Sequence, residues 1–132
     1  MARELERPRR AKTARDPLAR VRALCLALPE ASEQITWGHP TYRVREKMFA
    51  ASGGGTGRIA VTVKAPRGAQ EVLVAYDADR YFVPAYVGKA GWVGVFVDRR
   101  PDWDQVAALI EQSYRLVAPK KLAARLTPVS EL

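Results

Sequence analysis

The sequence predicts one α+β domain, in which helices pack on one face of an antiparallel or mixed sheet. The chain has 132 residues, 48% of them apolar and 27% charged, which is typical of a single globular domain. Helical and strand-like segments follow one another in the order helix, strands, helix, strands, helix. That order differs from the regular alternation expected of parallel α/β folds. No internal repeat and no long linker divides the chain.

The first helix is predicted to begin at Asp16 and Pro17. Aspartate caps the free N–H groups at a helix start, and proline suits the first helical position. Apolar residues then recur at steps of three and four, as on one face of a helix: Leu18, Val21, Leu24, Cys25 and Leu28. Pro29 is expected to end this helix.

Residues 30–40 are predicted to form a loop, and short strands follow it. The first two strands are Thr41–Val44 and Met48–Ala51. The segment SGGGTG is typical of a hairpin tip or flexible loop, because glycine tolerates positive φ. Arg58–Lys64 gives the clearest strand signal, since β-branched residues dominate it and alternate with smaller ones.

A second helix is predicted after Pro66, with an apolar face made of Ala69, Val72, Leu73 and Tyr76. Two further strands are expected at Arg80–Val83 and Trp92–Val97, joined by a loop over Ala85–Gly91. These strands complete the predicted sheet.

The last helix has the most regular pattern in the chain. Pro101 and Asp102 predict its start. One side is lined by Val106, Leu109, Ile110, Ser113, Tyr114 and Val117. A short terminal turn, KLAARL, is expected to follow Pro119.

The domain is predicted to span residues 16–126, between a disordered basic tail at 1–15 and a C-terminal tail at 127–132. The formal net charge is +8, and the first 20 residues hold seven Lys/Arg against three Asp/Glu, which is half of the excess. Positive charge attracts phosphate backbones without sequence specificity. Basic tails also occur on proteins that never bind nucleic acid, so charge alone leaves the partner open.

No apolar run approaches the about 20 residues that span a bilayer, and the N-terminus lacks the apolar region of a secretory signal. A single cysteine cannot form an internal disulfide, which suits a reducing compartment. We therefore expect a cytoplasmic protein with no membrane partner, and we expect a monomer.

Residues for a reaction centre are scarce. A structural zinc site needs about four Cys/His ligands, and the chain has one of each. Cys25 lies on a predicted apolar stripe and is expected to be inert in the core. His39, within WGHP, could act as a general base, but we expect it to hydrogen-bond the backbone and fix a turn. GGGTG lacks the Lys-Ser/Thr of a phosphate-binding loop.

The closest acidic pairs are Asp77/Asp79 and Asp102/Asp104. Both fall at predicted helix ends, where solvated aspartates are common, so we expect no metal there. The sequence therefore predicts no catalytic residue, no metal and no cofactor, and it favours a binding protein over an enzyme.

Aromatic and basic residues in the predicted loops are the best candidates for recognition. Nucleic-acid phosphates are expected to contact Arg43, Arg45, Lys47 and Lys89. Stacking on bases or on a planar ligand is expected of Trp37, Tyr42, Tyr86 and Trp92. The alternative is that these aromatic rings cap the sheet.

Five segments between about Leu18 and Ala124 form a recognisable series: WGHPTYRV, KMFA, RIAVTVKA, RYFVPAYVGKAGWVGVFVD and DWDQVAALIEQSYRLVAPKKLA. In residues and in order, they resemble the MmcQ/YjbR-like family of small bacterial proteins. The resemblance implies a frataxin-like fold: a two-layer sandwich of an antiparallel sheet with the N- and C-terminal helices packed on one face. It also implies DNA binding through "double-wing" hairpins, and it supplies no catalytic or ligand residues.

The frataxin comparison has one consequence for metal binding. Frataxins bind iron through an acidic first helix, whereas the corresponding segment here carries Arg20 and Arg22 and has no acid between Pro17 and Pro29. Iron binding is therefore not expected.

Three functions remain open after the sequence has been considered. The first is weak, mainly electrostatic DNA binding through basic loops or wings. The second is binding of a planar natural product, as in a self-resistance protein, which requires an apolar pocket beside the loop aromatics. The third is a protein-interaction module, which requires an exposed apolar patch or a stable dimer.

Overall fold

The computed structural model describes residues 16–53 and 56–126. The two predicted tails and the glycines at 54 and 55 lie outside the described residues. The helices are α1 (Pro17–Leu26), α2 (Ala69–Tyr76), α3 (Trp103–Val117) and α4 (Lys120–Ala123), with a 3₁₀ helix at Val87–Ala90. The strands are β1 (Ser32–Thr36), β2 (His39–Val44), β3 (Lys47–Ser52), β4 (Ala60–Val63), β5 (Tyr81–Phe82) and β6 (Val93–Phe96).

The strands form one six-stranded sheet in the order β1-β2-β3-β4-β6-β5. Every neighbouring pair is antiparallel. The chain runs as a meander from β1 to β4, crosses through α2 to the edge strand β5, and returns as β6 between β5 and β4. The predicted α+β class with an antiparallel sheet is confirmed.

One face of the sheet carries the core. The side chains of Val61, Val63, Val93 and Val95 are buried there, together with the buried residues of α1 and α3. Residues directly opposite each other in an antiparallel pair share a face, and the pairs Val61↔Val95 and Val63↔Val93 follow this rule. The predicted helix layer on one face of the sheet is therefore present.

The capping signals predicted for both long helices are confirmed. The carboxylate of Asp16 accepts hydrogen bonds from the backbone N–H groups of Leu18 (3.1 Å) and Ala19 (3.4 Å). Asp102 caps α3 in the same way, through the N–H groups of Asp104 and Gln105. Along α3 the predicted stripe is buried at Val106, Leu109, Ile110, Ser113 and Tyr114, while Val117 is half-buried.

The loop predicted at residues 30–40 is wrong, because β1 lies within it. Four of the five residues of β1 are exposed, so the strand has no alternation of buried and exposed side chains. Its sequence, SEQIT, is also poor in the β-branched and aromatic residues that indicate strands. Backbone pairing with β2 defines this edge strand.

The buried face of α2 differs from the predicted one. Val72 and Tyr76 are exposed, and Gln70 is buried instead. The face that packs on the core is rotated by about one residue, because the amide of Gln70 donates to the backbone carbonyls of Gly88 and Trp92. A polar residue with a specific partner has replaced the apolar residue that periodicity expects.

Ser113 joins the helix layer to the sheet. Its hydroxyl donates to the carbonyl of Phe49 (2.5 Å) and accepts from the N–H of Lys64 (2.9 Å). The direct pairing of β3 with β4 ends at Ala50↔Val63, just before these two backbone groups. The Ser113 side chain therefore replaces the next interstrand hydrogen bond, which explains a serine in the middle of an apolar stripe.

We predict that Ser113→Ala lowers the free energy of unfolding by about 1–3 kcal/mol, because two buried backbone groups lose their partner. Urea denaturation followed by circular dichroism measures this change. Gln112→Ala, exposed on the same helix, is the matched control and should change stability by less than about 0.5 kcal/mol. Equal stability of the Ser113→Ala variant and the parent protein would contradict the assigned role.

Candidate nucleic-acid interface

Because the strands alternate in direction, each connection between them lies at one of two ends of the sheet. The two ends differ in their charged residues. At the first end lie the β2–β3 turn, the β4–α2 connection, the β5–β6 loop and the C-terminal end of α3, because Val44 pairs with Lys47 and Val63 with Val93. We call this the basic end. Every lysine of residues 16–53 and 56–126 lies here: Lys47, Lys64, Lys89, Lys120 and Lys121.

Arginines and a few glutamates complete the basic end. Arg45, Arg67 and Arg125 add to the lysines. Four glutamates, Glu30, Glu46, Glu71 and Glu111, lie at or toward this end. Two of them form ion pairs, Glu30 with Arg45 at the surface and Glu111 with Arg115 in a partly buried position. The lysines remain as the excess positive charge.

The opposite end carries every aspartate of the chain, and we call it the aspartate end. Its residues are Asp16, Asp77, Asp79, Asp98, Asp102 and Asp104. They cap helices or follow strands where the β1–β2 turn, the end of α2, the end of β6 and the starts of α1 and α3 meet. Anionic residues suit helix N-termini and cationic residues suit helix C-termini, so the dipoles of α1 and α3 favour this separation, whereas α2, which ends at Asp77, opposes it.

The β2–β3 turn holds one of the predicted basic residues, Arg45, in an ion pair. Arg45 (φ 49°) and Glu46 (φ 67°) form a two-residue hairpin turn in left-handed backbone. Arg45 binds both oxygens of Glu30, at 2.7 and 3.3 Å, and this hydrogen bonding lowers the pKa of the Glu30 carboxyl. The positive charge of Arg45 is therefore matched within the domain.

Arg43 is half-buried on the sheet face away from the helices. Its guanidinium donates to the hydroxyls of Thr41 (3.4 Å) and Thr36 (3.3 Å) and to the carbonyl of Glu46 (3.3 Å). These partners are neutral, so Arg43 ties β1, β2 and the turn together while keeping its charge. Of the four predicted phosphate contacts, Lys47 and Lys89 are the exposed ones that form no ion pair with a described residue.

The β5–β6 loop presents Tyr86 in a strained conformation. Tyr86 has φ 65° and ψ −62°, and the N–H of Val87 donates to the carbonyl of Ala85 at 2.7 Å. This is the rare γ-turn with positive φ, and such conformations cost about 1–3 kcal/mol when the residue is not glycine. The side chain is 96% exposed, so no packing of its own holds the ring there.

Buried contacts beneath the loop hold this strained turn in place. The Gln70 amide donates to the carbonyls of Gly88 (2.8 Å) and Trp92 (2.6 Å) from a buried position. Trp92 is itself buried. A Cβ at Gly88 would lie 2.6 Å from Cγ1 of Val83, so a larger residue there would force the Val83 side chain to shift. The loop is thus built to hold Tyr86 and Lys89 in solvent.

Trp37 is the other aromatic residue held out from the surface. Trp37 (φ 52°) and Gly38 (φ 81°) form the two-residue turn between β1 and β2. The indole is 94% exposed. This turn lies at the aspartate end, so Trp37 and Tyr86 stand at opposite ends of the sheet.

Tyr42 and Trp92 require a correction, because both are buried and their rings are closed to a stacking ligand. The Tyr42 hydroxyl donates to Glu33 (3.2 Å), and burial together with the Glu33 charge raises the pKa of the phenol. These two rings are part of the packing of the sheet. The four predicted aromatics therefore do not form a shared apolar pocket.

Two open clefts lie beside the aspartate end. The first, of about 450 Å³, is lined by Arg58, Asp77, Asp79, Arg80, Phe96, Asp98, Arg99 and Pro101. Arg58 forms one side of this cleft. Its guanidinium binds both oxygens of Asp98 (2.9 and 2.8 Å), and its Cζ lies 3.7 Å from the centroid of the Phe96 ring. The second cleft, of about 330 Å³, adjoins the first at Asp77 and Arg80. Neither contains a predicted ligand-binding residue.

His39 and Cys25 are placed apart from each other. His39 is exposed at the start of β2, and its ring makes no hydrogen bond to the residues that the structure describes. The prediction that His39 fixes the turn is corrected, since the left-handed residues Trp37 and Gly38 form it. Cys25 is fully buried, as predicted, and burial raises the pKa of its thiol to about 12.

Within residues 16–53 and 56–126, no group of three or more His, Cys, Asp or Glu side chains has the geometry to hold a metal ion. In the same part of the chain, no helix has the length and hydrophobicity to cross a membrane.

The sequence model of the YjbR family matches residues 26–116, which is more than half of the chain. The protein belongs to the YjbR family. The resemblance predicted from the sequence motifs is thereby confirmed. The fold is similar to that in the crystal structure of Deinococcus radiodurans protein DR2400, which carries the DUF419 domain. That structure is 19% identical, with a TM-score of 0.67, and the match covers 80% of this chain and 83% of that one. No curated protein matches the sequence.

Sequence reasoning missed two features of this YjbR-family protein. Lys64 and Arg67 also lie at the basic end, and only the strand directions reveal that they share it with Lys47 and Lys89. Gln70 was missed because periodicity places apolar residues in the core.

We predict that, at about pH 8, the Cys25 thiol reacts with an aromatic disulfide reagent at least about 100-fold more slowly in the native protein than in the protein unfolded in urea. The raised pKa leaves almost no thiolate, and burial blocks access. The same shift destabilises the fold in alkali, since the unfolded thiol ionises first as pH rises above about 9. Equal rates in native and unfolded protein would contradict the buried position.

Proposed function

We propose that this YjbR-family protein binds DNA through its basic end, mainly by electrostatic attraction to phosphates, and that it is a binder rather than an enzyme. The observation that carries the proposal is the separation of charge. All lysines of the described residues lie at one end of the sheet, and all aspartates lie at the other. The basic end therefore has excess positive charge, which attracts a polyanion, whereas arginines such as Arg58, Arg80 and Arg99 nearly balance the aspartates at the other end.

The spacing of the lysines supports contact with several phosphates. Lys47 begins β3, Lys64 directly follows β4, and Lys89 lies in the loop that leads into β6, all at the same end. Adjacent strands lie about 4.8 Å apart, so the three strand ends from which these lysines extend span about 10 Å. One DNA strand carries a phosphate every about 3.4 Å of helix axis. About three phosphates therefore fall within reach of the row.

The side-chain chemistry of the described residues supports binding over catalysis. His39 lacks the carboxylate or nucleophile partner that general-base catalysis uses. The Cys25 thiol is buried and stays protonated. Lysine is a strongly hydrated point charge, which suits non-specific phosphate contact better than base readout.

The two alternatives receive less support from the described surface. A planar natural product requires an apolar pocket, whereas the cleft of about 450 Å³ is lined mostly by arginine and aspartate. A protein partner requires an apolar patch. The exposed large apolar residues are Val72 and Tyr76 on α2, Ile35 and Trp37 on the β1–β2 hairpin, and single residues on several other elements. DNA binding uses the group of lysines at the basic end, which is a larger feature of the surface than either of these.

We predict that the protein binds a short duplex at about 50 mM salt, with log affinity falling linearly against log salt at a slope of about −3. Fluorescence anisotropy measures both values. The variant Lys47→Glu/Lys89→Glu should weaken binding at least about tenfold and reduce the slope, because two phosphate contacts become repulsive.

The matched control is Arg99→Glu/Arg100→Glu at the aspartate end, which changes net charge by the same amount. It should leave affinity within about threefold of the parent protein. Equal losses in the two double variants would show that net charge alone matters. Absence of binding to any DNA at low salt would end the proposal.

A further inference from the structure

We propose that Tyr86 is a preformed stacking platform for an unpaired base, so that the basic end prefers single-stranded DNA to duplex DNA. The inference rests on the proposed DNA binding and adds the class of ligand. The ring is 96% exposed, and no described residue contacts it through a hydrogen bond, an ion pair or ring stacking. Both faces of the phenol are therefore open to a ligand.

The conformation of Tyr86 is set before any ligand arrives. Its γ-turn is closed by the hydrogen bond between Ala85 and Val87, and Gln70 fixes the following carbonyl of Gly88 from below. Pro84, on the other side of the turn, is buried. Relaxation of the turn would release its strain, but the buried contacts keep it strained. This points to a functional position for the Tyr86 ring. Ordering of this backbone costs nothing further on binding.

Lys89 supplies the phosphate contact beside the ring. Tyr86 directly precedes the 3₁₀ helix Val87–Ala90, and Lys89 follows it by three residues. Both residues are exposed in the same short loop, so their side chains share one stretch of surface. A nucleotide stacked on Tyr86 would thus bring its phosphate toward Lys89, and residues 83–92 contain no acid that would repel it.

Duplex DNA cannot use the ring in this way, because its bases are already stacked and only their edges face the grooves. Electrostatics alone favours the duplex, which carries two phosphates per base pair. A preference for a single strand therefore cannot arise from charge and reports base stacking directly.

Trp37 is the internal comparison for this argument. It is as exposed as Tyr86 and also stands on a left-handed turn. It lies at the aspartate end, where no lysine of the described residues lies. Exposure alone predicts that both rings bind bases, whereas exposure combined with local charge selects Tyr86.

The experiment titrates the full chain with three probes of about 15 residues: a thymidine strand, the same strand without bases, and a duplex. The parent protein should bind the thymidine strand about 5- to 100-fold more tightly than the abasic strand, and more tightly than the duplex. Tyr86→Ala should remove this advantage and leave abasic binding unchanged. Tyr86→Trp should keep the advantage, and its added fluorescence should be quenched by the thymidine strand.

Two further variants separate the platform from general effects. Trp37→Ala should bind all three probes as the parent protein does. Gln70→Ala, which frees the loop, should weaken thymidine binding and not abasic binding. Equal affinity of the parent protein for the thymidine and abasic strands overturns this inference while leaving the DNA-binding proposal standing. Failure to bind all three probes overturns both.

Discussion

The alternating strand direction of the six-stranded sheet is the constraint on which the rest of the molecule depends. Because every neighbouring pair is antiparallel, each connection is assigned to one of two ends. The β2–β3 turn, the exit of β4 and the β5–β6 loop must share an end, although they are far apart in sequence. The same constraint brings the starts of α1 and α3 together at the other end. Charge that looks scattered along the chain is thereby separated in space.

The β5–β6 loop shows how a small domain can hold a functional residue away from its core. Its turn is strained and its tyrosine is solvated, so the stabilising contacts have to come from elsewhere. Gln70 provides them through two buried hydrogen bonds to backbone carbonyls, and the buried Trp92 anchors the chain as it enters β6. Strain maintained by buried polar contacts indicates a position selected for something other than stability.

The sequence was most informative where local chemistry and packing agree. Asp16, Asp102 and the stripe of α3 are predictable because capping and 3.6-residue periodicity act within a few residues. β1 was not predictable, because an exposed edge strand is defined by pairing with β2 and carries no buried face. The burial of Gln70 in place of Val72 was not predictable, because the carbonyls it binds lie 18 and 22 residues away.

The candidate site likewise contains residues that the sequence predicts correctly and residues that it does not. Lys89 and Tyr86 could be selected from the loop composition, and they remain exposed. Tyr42 and Trp92 have the same residue chemistry but are buried, which sequence spacing does not distinguish. Arg45 is a surface residue as expected, yet its charge is matched by Glu30, 15 residues earlier in the chain. An ion pair between residues this far apart in the sequence can be known only from the fold.

The most direct test of the charge-separated account is a map of the bound surface by amide NMR in the presence of a short single DNA strand. The account predicts that shifts concentrate at residues 45–47, 64–67 and 86–89, all at the basic end. It also predicts that residues 37–39, 77–79 and 98–104 at the aspartate end stay unchanged. Shifts centred on Trp37 and the aspartates, or spread evenly over both ends, would contradict it.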